Sequence, residues 1–214
     1  MKAIVRRIFK LIFRFLCSFS QWLFPYSTLN KWKSFRVKFY TSWISKEFKS
    51  IGGNATIYYP LDLLGGKHIT IGENVIIGKR GILTAWDRYG YDSFSPAISI
   101  GNRTSIGEDC HITAIHNITI GNNVLIGKKV TISDNSHGQT NIAELNLPPI
   151  DRPLYSKGPV IIEDGVWIGD KVTIVANVRL GKNSIIGANS LVTKDVPENC
   201  VVGGVPAQIL KEMI

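Results

Sequence analysis

The residue of this sequence best placed to do chemistry is His137, which ends the stretch ITIGNNVLIGKKVTISDNSH. Three isoleucines of that stretch, Ile120, Ile126 and Ile132, fall six residues apart, and His137 follows five residues after the last of them. An imidazole in water has a pKa of about 6.5, so near pH 7 its neutral form is a suitable proton acceptor. The pattern therefore predicts a regular scaffold that carries a general base.

The scaffold repeats with a period of six residues, which fits neither an amphipathic helix nor an alternating strand. It indicates short strands joined by tight turns, as in a β-helix of hexapeptides in which each strand sends one residue inward. Eighteen residues then make one triangular coil, and about six coils are predicted. The inward residues form six triplets, each with a spacing of six: Ile51, Ile57 and Leu63; Ile71, Ile77 and Leu83; Ile100, Ile106 and Ile112; Ile120, Ile126 and Ile132; Ile162, Ile168 and Ile174; Leu180, Ile186 and Val192.

Glycine directly follows most of these inward residues, as at Gly121 and Gly127. A glycine at that place suits a turn that needs positive φ, or coils that stack very closely.

The irregular spacings fall only between triplets, the longest being thirty residues from Ile132 to Ile162 and seventeen from Leu83 to Ile100. Every insertion must then leave the prism at the same corner. Two loops, residues 84–97 and 133–159, are therefore predicted to project along one edge, two coils or about 10 Å apart. Loops clustered on one rim of a solenoid are typical of a binding face.

Both loops carry side chains suited to a polar acceptor. The first, TAWDRYGYDSFSPA, mixes aromatic and charged residues, a combination that suits carbohydrate or nucleotide contacts; packing on a neighbouring subunit is the alternative. The predicted acceptor contacts are Trp86, Asp87, Tyr91, Asn135, Arg152 and Tyr155.

The charge of the chain is concentrated at its N-terminus. The 214 residues carry a formal charge of +9, and residues 1–50 hold eleven Lys and Arg against Glu47 alone, a net of +10, so the remainder sums to −1. No nucleic-acid motif accompanies this charge, so nucleic acid is not an expected partner. The three cysteines have no metal-ligand spacing, and their odd number favours a reducing compartment.

The sequence predicts two helices in the N-terminal segment. From Met1 to Phe24, cations fall on one side and apolar residues on the other, and the regular charges exclude an apolar run of about 18 residues. We expect this helix to lie in an anionic membrane surface; packing on the prism or on a sister subunit is the alternative. Tyr26 to Ser50 predicts a second helix that extends the membrane patch or caps the open β-helix.

The predicted organisation is thus a basic helical segment over residues 1–50, a β-helix over 51–206, and a short C-terminal helix over 207–214. From Ile51 onward the chain resembles the hexapeptide-repeat acyltransferases, and is most similar to sugar O-acetyltransferases of bacterial surface-polysaccharide synthesis. The resemblance rests on IGNNVLIGKKVTISDNSHG, RPLYSKGPVIIEDGVWIGD, IIGANSLVTKDVP and GGVPAQIL. It implies an all-β, left-handed parallel β-helix, a homotrimer with active sites between subunits, acetyl-CoA as donor substrate, and no metal.

The resemblance also implies roles for single residues. His137 matches the catalytic histidine. Gln208 and Gly107 depart from the family pattern: Gln208 replaces one of two arginines near the coenzyme A phosphates, and Gly107 replaces an asparagine that contacts sugar. The positions that correspond to coenzyme A contacts in galactoside acetyltransferases are Asp170, Ala188, Thr193, Lys194 and Lys211.

The expected reaction is acetyl transfer to a sugar hydroxyl of a surface polysaccharide (O-antigen, capsule or exopolysaccharide) or of its lipid-linked or nucleotide-linked precursor. Together with the N-terminal helix, this acceptor class predicts a cytoplasmic enzyme that is bound peripherally to the inner membrane of a bacterium. His137 would take the hydroxyl proton and return it to the coenzyme A thiolate, and Asp134, Asn135 or Glu163 could orient the imidazole.

Three alternatives remain at this point. The first is N-acetylation of an amino sugar. The second is a metal enzyme of the γ-carbonic anhydrase type, because His111 and His116 have the spacing of two zinc ligands in that family; however, Val75 stands where the third ligand is expected. The third is a non-catalytic scaffold, which would leave His137 unexplained.

Overall fold

The structure is a computed structural model that describes residues 2–139 and 141–213. The chain divides after Phe39 into two compact units. Two helices, α1 (Lys2–Leu23) and α2 (Tyr26–Ile44), account for the N-terminal segment, and a 3₁₀ turn, Ser45–Glu47, follows. Pro25, which cannot continue a helix, lies between the two helices. Among the described residues, no helix is both long and apolar enough to cross a bilayer.

The second unit is a parallel β-helix with three sheets. The first sheet contains β1 (Ser50–Ile51), β4 (Ile69–Ile71), β9 (Ala97–Ile100), β12 (Asn117–Ile120), β17 (Val160–Ile162) and β20 (Val178–Leu180). The second contains β2 (Thr56–Ile57), β5 (Ile76–Ile77), β10 (Ser105–Ile106), β13 (Leu125–Ile126), β18 (Trp167–Ile168), β21 (Ile185–Ile186), β23 (Cys200–Gly204) and β24 (Ala207–Glu212). The third contains β3 (Leu61–Leu64), β6 (Gly81–Ala85), β11 (His111–Ala114), β14 (Thr131–Ser133), β19 (Thr173–Ile174) and β22 (Leu191–Val192).

The predicted inward residues stack in three ladders. Ile126, for example, pairs with Ile106 on one side and Ile168 on the other. From the second coil onward every inward residue is buried, while Ile51 and Leu63 of the first coil are partly buried. Fully burying a large aliphatic side chain contributes about 1.5–3 kcal/mol. The six triplets predicted from the spacing are therefore confirmed, and they form the core.

The glycines that follow the inward residues serve coil stacking rather than left-handed turns. The left-handed residue of each turn stands two places further on, as at Asn123, whose φ is 55°, after Gly121. A Cβ atom on Gly127 would lie 2.7 Å from the backbone nitrogen of Asp170 in the next coil. Close approach between coils is thus the reason for glycine here.

The end of α2 caps the first coil. Ile44 and Phe48 are buried in the core of the β-helix. The hydroxyl of Thr41 accepts the Ile57 N–H at 2.9 Å, and the Tyr40 hydroxyl accepts the Leu61 N–H at 3.4 Å. The last part of the predicted second helix therefore closes the open end, as a solenoid requires.

The predicted C-terminal helix is wrong. Residues Ala207–Glu212 form β24, an antiparallel strand on β23, with Gly204 opposite Ala207. The strand β23 itself adds to the second sheet beyond β21, with Val202 paired to Ile186. Because an uncovered β23 would expose unpaired backbone groups, pairing at this edge prevails over helix formation.

All insertions leave the prism at the corner between the third and first sheets, as predicted. The two larger ones each form a hairpin: β7 (Arg88–Tyr89) pairs with β8 (Asp92–Ser93), and β15 (Ser136–His137) with β16 (Leu154–Tyr155). Both are antiparallel, in contrast to the parallel coils that carry them.

Candidate active site

His137 lies on the hairpin of the longer loop. It pairs with Leu154 across β15 and β16, and Leu154 is buried while His137 is exposed. The hairpin fixes the backbone of His137 and leaves its imidazole open to solvent. This arrangement suits a base that must meet two substrates.

Asp134 shapes the corner from which this hairpin departs. Its carboxylate is fully buried and accepts the backbone N–H groups of Ile115 and His116, both at 2.9 Å. Buried polar groups require such partners. Asp134 therefore joins two coils, and its carboxylate forms these bonds rather than one to the imidazole of His137.

The other two candidates for orienting His137 are also engaged elsewhere. The Asn135 amide donates to the Thr113 carbonyl at 3.2 Å and to Asp134 at 3.1 Å. Glu163 forms an ion pair with Arg179 and accepts the Lys182 N–H at 2.7 Å. Arg179 lowers the pKa of the Glu163 carboxyl, chiefly through their hydrogen bond.

An aromatic residue contacts the imidazole instead. The Tyr89 ring lies 5.5 Å from the His137 ring, centroid to centroid, at an interplanar angle of 70°. The Tyr89 hydroxyl donates to the Ile150 carbonyl at 3.0 Å. The loops 84–97 and 133–159, which were predicted only to project along one edge about 10 Å apart, are therefore in direct contact. The composition of the first loop indicated a binding role, but the contact of Tyr89 with His137 needed the tertiary structure.

Asp87 is an anchor of its loop. Its carboxylate contacts Lys67 at 2.7 Å and His68 at 3.1 Å. The hydrogen bond from Lys67, followed by that from His68, lowers its pKa to about 2. Asp87 was predicted to contact the acceptor, and its carboxylate is already paired within the chain.

The remaining predicted acceptor residues are dispersed. Trp86 is half-buried and packs on Tyr89 at 5.9 Å, and Tyr155 is half-buried opposite Ser136. The Arg152 guanidinium donates to the Leu147 carbonyl at 3.0 Å within its own loop. Tyr91 is 102% exposed, at the tip of its hairpin.

The predicted coenzyme A contacts fall on two different corners of one chain. Thr193 and Lys194 follow β22 and lie on the corner that carries His137, two coils further on. Asp170 and Ala188 lie on the corner between the second and third sheets, and Lys211 lies on β24. All five are exposed, and Asp170 accepts the Lys128 N–H at 2.8 Å. One chain alone does not bring these residues to a single site.

A further exposed feature was missed in the sequence. Trp167 on β18 is 51% exposed and pairs with Leu125, which is 49% exposed. With Ile76, these residues place large apolar side chains on the outer face of the second sheet. Polar residues are expected at such outward-facing strand positions, so the apolar residues there were the sequence signal for this exposed surface.

The histidines of the metal hypothesis occupy other environments. Burial lowers the pKa of His111, while Asp62 opposes the shift. His116 is exposed, and its backbone is held by Asp134. Within residues 2–139 and 141–213, no three His, Cys, Asp or Glu residues group closely enough to hold a metal ion.

Comparison with known proteins places the hexapeptide coils of this chain in a family of transferases. The family described as bacterial transferase hexapeptide (six repeats) matches residues 159–194. Over 160 residues the chain is 34% identical to WbbJ of Escherichia coli K12, assigned as a lipopolysaccharide-biosynthesis O-acetyltransferase; the match covers 73% of this chain and 78% of WbbJ. It is 35% identical over 177 residues to the galactoside O-acetyltransferase of the same organism, covering 80% and 68%.

Solved structures agree with these matches. A hexapeptide-repeat acetyltransferase from Vibrio cholerae, solved with acetyl coenzyme A, shares 27% identity with a TM-score of 0.57, covering 81% of this chain and 75% of the other. The Bacillus cereus N-acyltransferase AntD shares the fold, with 20% identity, a TM-score of 0.65 and coverage of 81% and 88%. The chain therefore belongs to the hexapeptide-repeat acetyltransferases, and it is an acyltransferase with their left-handed parallel β-helix.

Proposed function

We propose that this protein is an acetyl-CoA-dependent O-acetyltransferase that acts on a sugar hydroxyl of a bacterial surface polysaccharide, or of its lipid-linked or nucleotide-linked precursor. The observation that carries the proposal is the exposed imidazole of His137 at the corner where both inserted loops converge. The similarity to a lipopolysaccharide-biosynthesis O-acetyltransferase supports this substrate class.

In the proposed reaction, His137 removes the proton of the sugar hydroxyl while its oxygen attacks the thioester carbonyl carbon. The tetrahedral intermediate collapses with cleavage of the carbon–sulfur bond, which leaves the acetyl ester and the coenzyme A thiolate. The imidazolium returns its proton to that thiolate. A backbone N–H is the donor expected for the oxyanion, and holding both substrates in line supplies much of the remaining rate.

The donor site is proposed to form between subunits of a homotrimer. Thr193 and Lys194 share an edge with His137, whereas Asp170 and Ala188 lie on another edge, so a site that uses all of them needs two chains. The exposed apolar side chains of Leu125 and Trp167, which pair on the second sheet, favour such an interface. The exposed ammonium groups of Lys194 and Lys211 suit the coenzyme A phosphates.

The acceptor is proposed to bind between the two loops. Trp86 and Tyr155 offer half-buried aromatic surfaces, and Asn135 lies beside the departing hairpin. Asp87 holds the shorter loop through its ion pair, and Arg152 holds the longer loop through its hydrogen bond. Tyr91, at the exposed tip, is the residue that could reach a longer glycan.

The enzyme is proposed to work at the cytoplasmic face of the bacterial inner membrane. The helix α1 carries Lys2, Arg6, Arg7, Lys10 and Arg14 with no acidic residue, and its large apolar side chains are exposed. An amphipathic helix of this kind binds an anionic bilayer surface through apolar burial and charge attraction.

The first test is a calorimetric titration of the purified protein with acetyl-CoA, with a metal assay on the same sample. Binding followed by acetylation of a hydroxyl sugar supports the proposal, and His137→Ala should bind acetyl-CoA but lose about 10²–10⁴-fold in kcat. Acetylation of amino sugars alone would favour N-acetyl transfer. Absence of binding with stoichiometric zinc would favour the metal enzyme, and absence of both would favour a scaffold.

A further inference from the structure

We infer that Tyr89 is the positioning residue of the general base: its ring sets the orientation of the His137 imidazole, and its hydroxyl fixes the two loops around it. The inference rests on the proposed function of His137. It adds a residue from the shorter loop that neither the motif around His137 nor the similarity to relatives assigns.

The ring contact is the first observation. Tyr89 and His137 lie 5.5 Å apart at 70°, an edge-to-face arrangement that aromatic pairs prefer. Among the described residues, no hydrogen bond joins another side chain to the imidazole, and the three candidates for orienting it, Asp134, Asn135 and Glu163, bind other groups. Side-chain orientation therefore depends on this packing contact.

The hydroxyl of the same residue makes the second contact. It donates to the carbonyl of Ile150 at 3.0 Å, in the 3₁₀ turn Pro149–Asp151 of the longer loop. One side chain thus touches the base and also closes the loop that carries it. A residue that merely filled space between the loops would not need this directed bond.

Trp86 links Tyr89 to the rigid prism. Its ring centroid lies 5.9 Å from that of Tyr89 at an interplanar angle of 83°, which is again an edge-to-face arrangement. Trp86 directly follows β6, and its backbone N–H donates to the Ala114 carbonyl of the adjacent strand at 2.8 Å. The three rings, Trp86, Tyr89 and His137, therefore run in series from the β-helix to the base.

The test uses the full chain and two variants. Tyr89→Leu removes the ring, whereas Tyr89→Phe keeps the ring and removes the hydrogen bond to Ile150. Proton–carbon NMR of the histidine rings gives a readout that needs no substrate, with His137→Ala to assign the signals of His137 among the four histidines. We expect the His137 signals to move toward those of a solvated histidine in Tyr89→Leu, and to stay displaced in Tyr89→Phe. Tyr91→Leu, in the same hairpin, is the control and should leave them unchanged.

Turnover gives the second readout. Displacing a catalytic group by about 1 Å costs about 100-fold in rate. We expect Tyr89→Leu to lower kcat by about 10- to 100-fold with an unchanged KM for acetyl-CoA, and Tyr89→Phe to lower it by about tenfold or less.

Two outcomes overturn the inference. Wild-type NMR signals and wild-type kcat in Tyr89→Leu, with turnover lost in His137→Ala, reject the role of Tyr89 and leave the proposed function intact. Full turnover in His137→Ala rejects the general base itself, and the role of Tyr89 with it.

Discussion

The buried carboxylate of Asp134 accepts the backbone N–H of His116 at 2.9 Å, and this bond joins two coils at the corner where the candidate base leaves the prism. A second bond of equal length, from Ile115, completes the support. The scaffold and the candidate active site are therefore connected by an acidic residue three places before His137.

Asp134→Ala is expected to lower the free energy of unfolding by about 2–5 kcal/mol, because it leaves two backbone donors unsatisfied at a buried corner. Chemical denaturation measures this. Asp164→Ala is the matched control: Asp164 also accepts a backbone N–H across coils, from Asn122 at 2.6 Å, but it is exposed, so the loss should stay below about 1 kcal/mol. Equal losses in the two variants would contradict the structural role of Asp134.

Asp87 should titrate near its shifted pKa of about 2 in the folded protein, well below the ordinary 3.8. The pairing of its carboxylate therefore stabilises the folded protein above pH 3.8, and this stabilisation is lost as the pH falls toward 2. Carboxyl-carbon NMR across an acid titration measures the midpoint. Lys67→Ala should raise this midpoint. A midpoint near 3.8 in the wild type would show that the carboxylate is not paired.

His111 is expected to make stability depend on pH near neutrality. Burial lowers its pKa, so the unfolded state binds more protons between the folded pKa and 6.5, and stability rises with pH through that window. Thermal unfolding at pH 5.5 and 7.5 should show a larger difference for wild type than for His111→Thr, which copies its strand neighbour Thr131. If wild type and His111→Thr show the same difference in thermal unfolding between the two pH values, His111 is not the source of the pH dependence.

Gln208→Arg should strengthen acetyl-CoA binding by about two- to fivefold, and Lys211→Ala should weaken it by a similar factor, as expected for exposed charges near phosphate. Calorimetry measures both. Lys79→Ala, an exposed lysine of the second coil, is the control. If the nucleotide phosphates are the contacts, neither change affects binding of acetyl-pantetheine, which lacks them.

Membrane binding should depend on the cations of α1. A basic residue near an anionic surface contributes about 1 kcal/mol, so Arg6→Gln with Arg7→Gln should weaken partition into phosphatidylglycerol vesicles by about 30-fold. Co-sedimentation measures this. Lys79→Gln with Lys182→Gln makes the same charge change in the second unit and should have little effect. Equal binding of all three proteins would argue against a membrane role for α1.

The amino-acid sequence determined the β-helix almost completely. Its six triplets, the corner of insertion and the shared edge of the two loops all follow from spacing, because each strand of a solenoid contacts only its neighbours in adjacent coils. The same regularity predicted that His137 would stand on the edge along which both loops project. These features are local, and local patterns specify them.

Tertiary structure alone decided how the polar and aromatic groups pair. Asp134 and Asp87 are both short acidic side chains, yet one supports a buried corner and the other anchors a loop. The terminal segment 207–212 became a strand because an open sheet edge was available to it. Tyr89 reaches His137 across 48 residues of sequence only because two antiparallel hairpins project from one corner. Such contacts depend on side-chain directions in loops, and no sequence period fixes those directions.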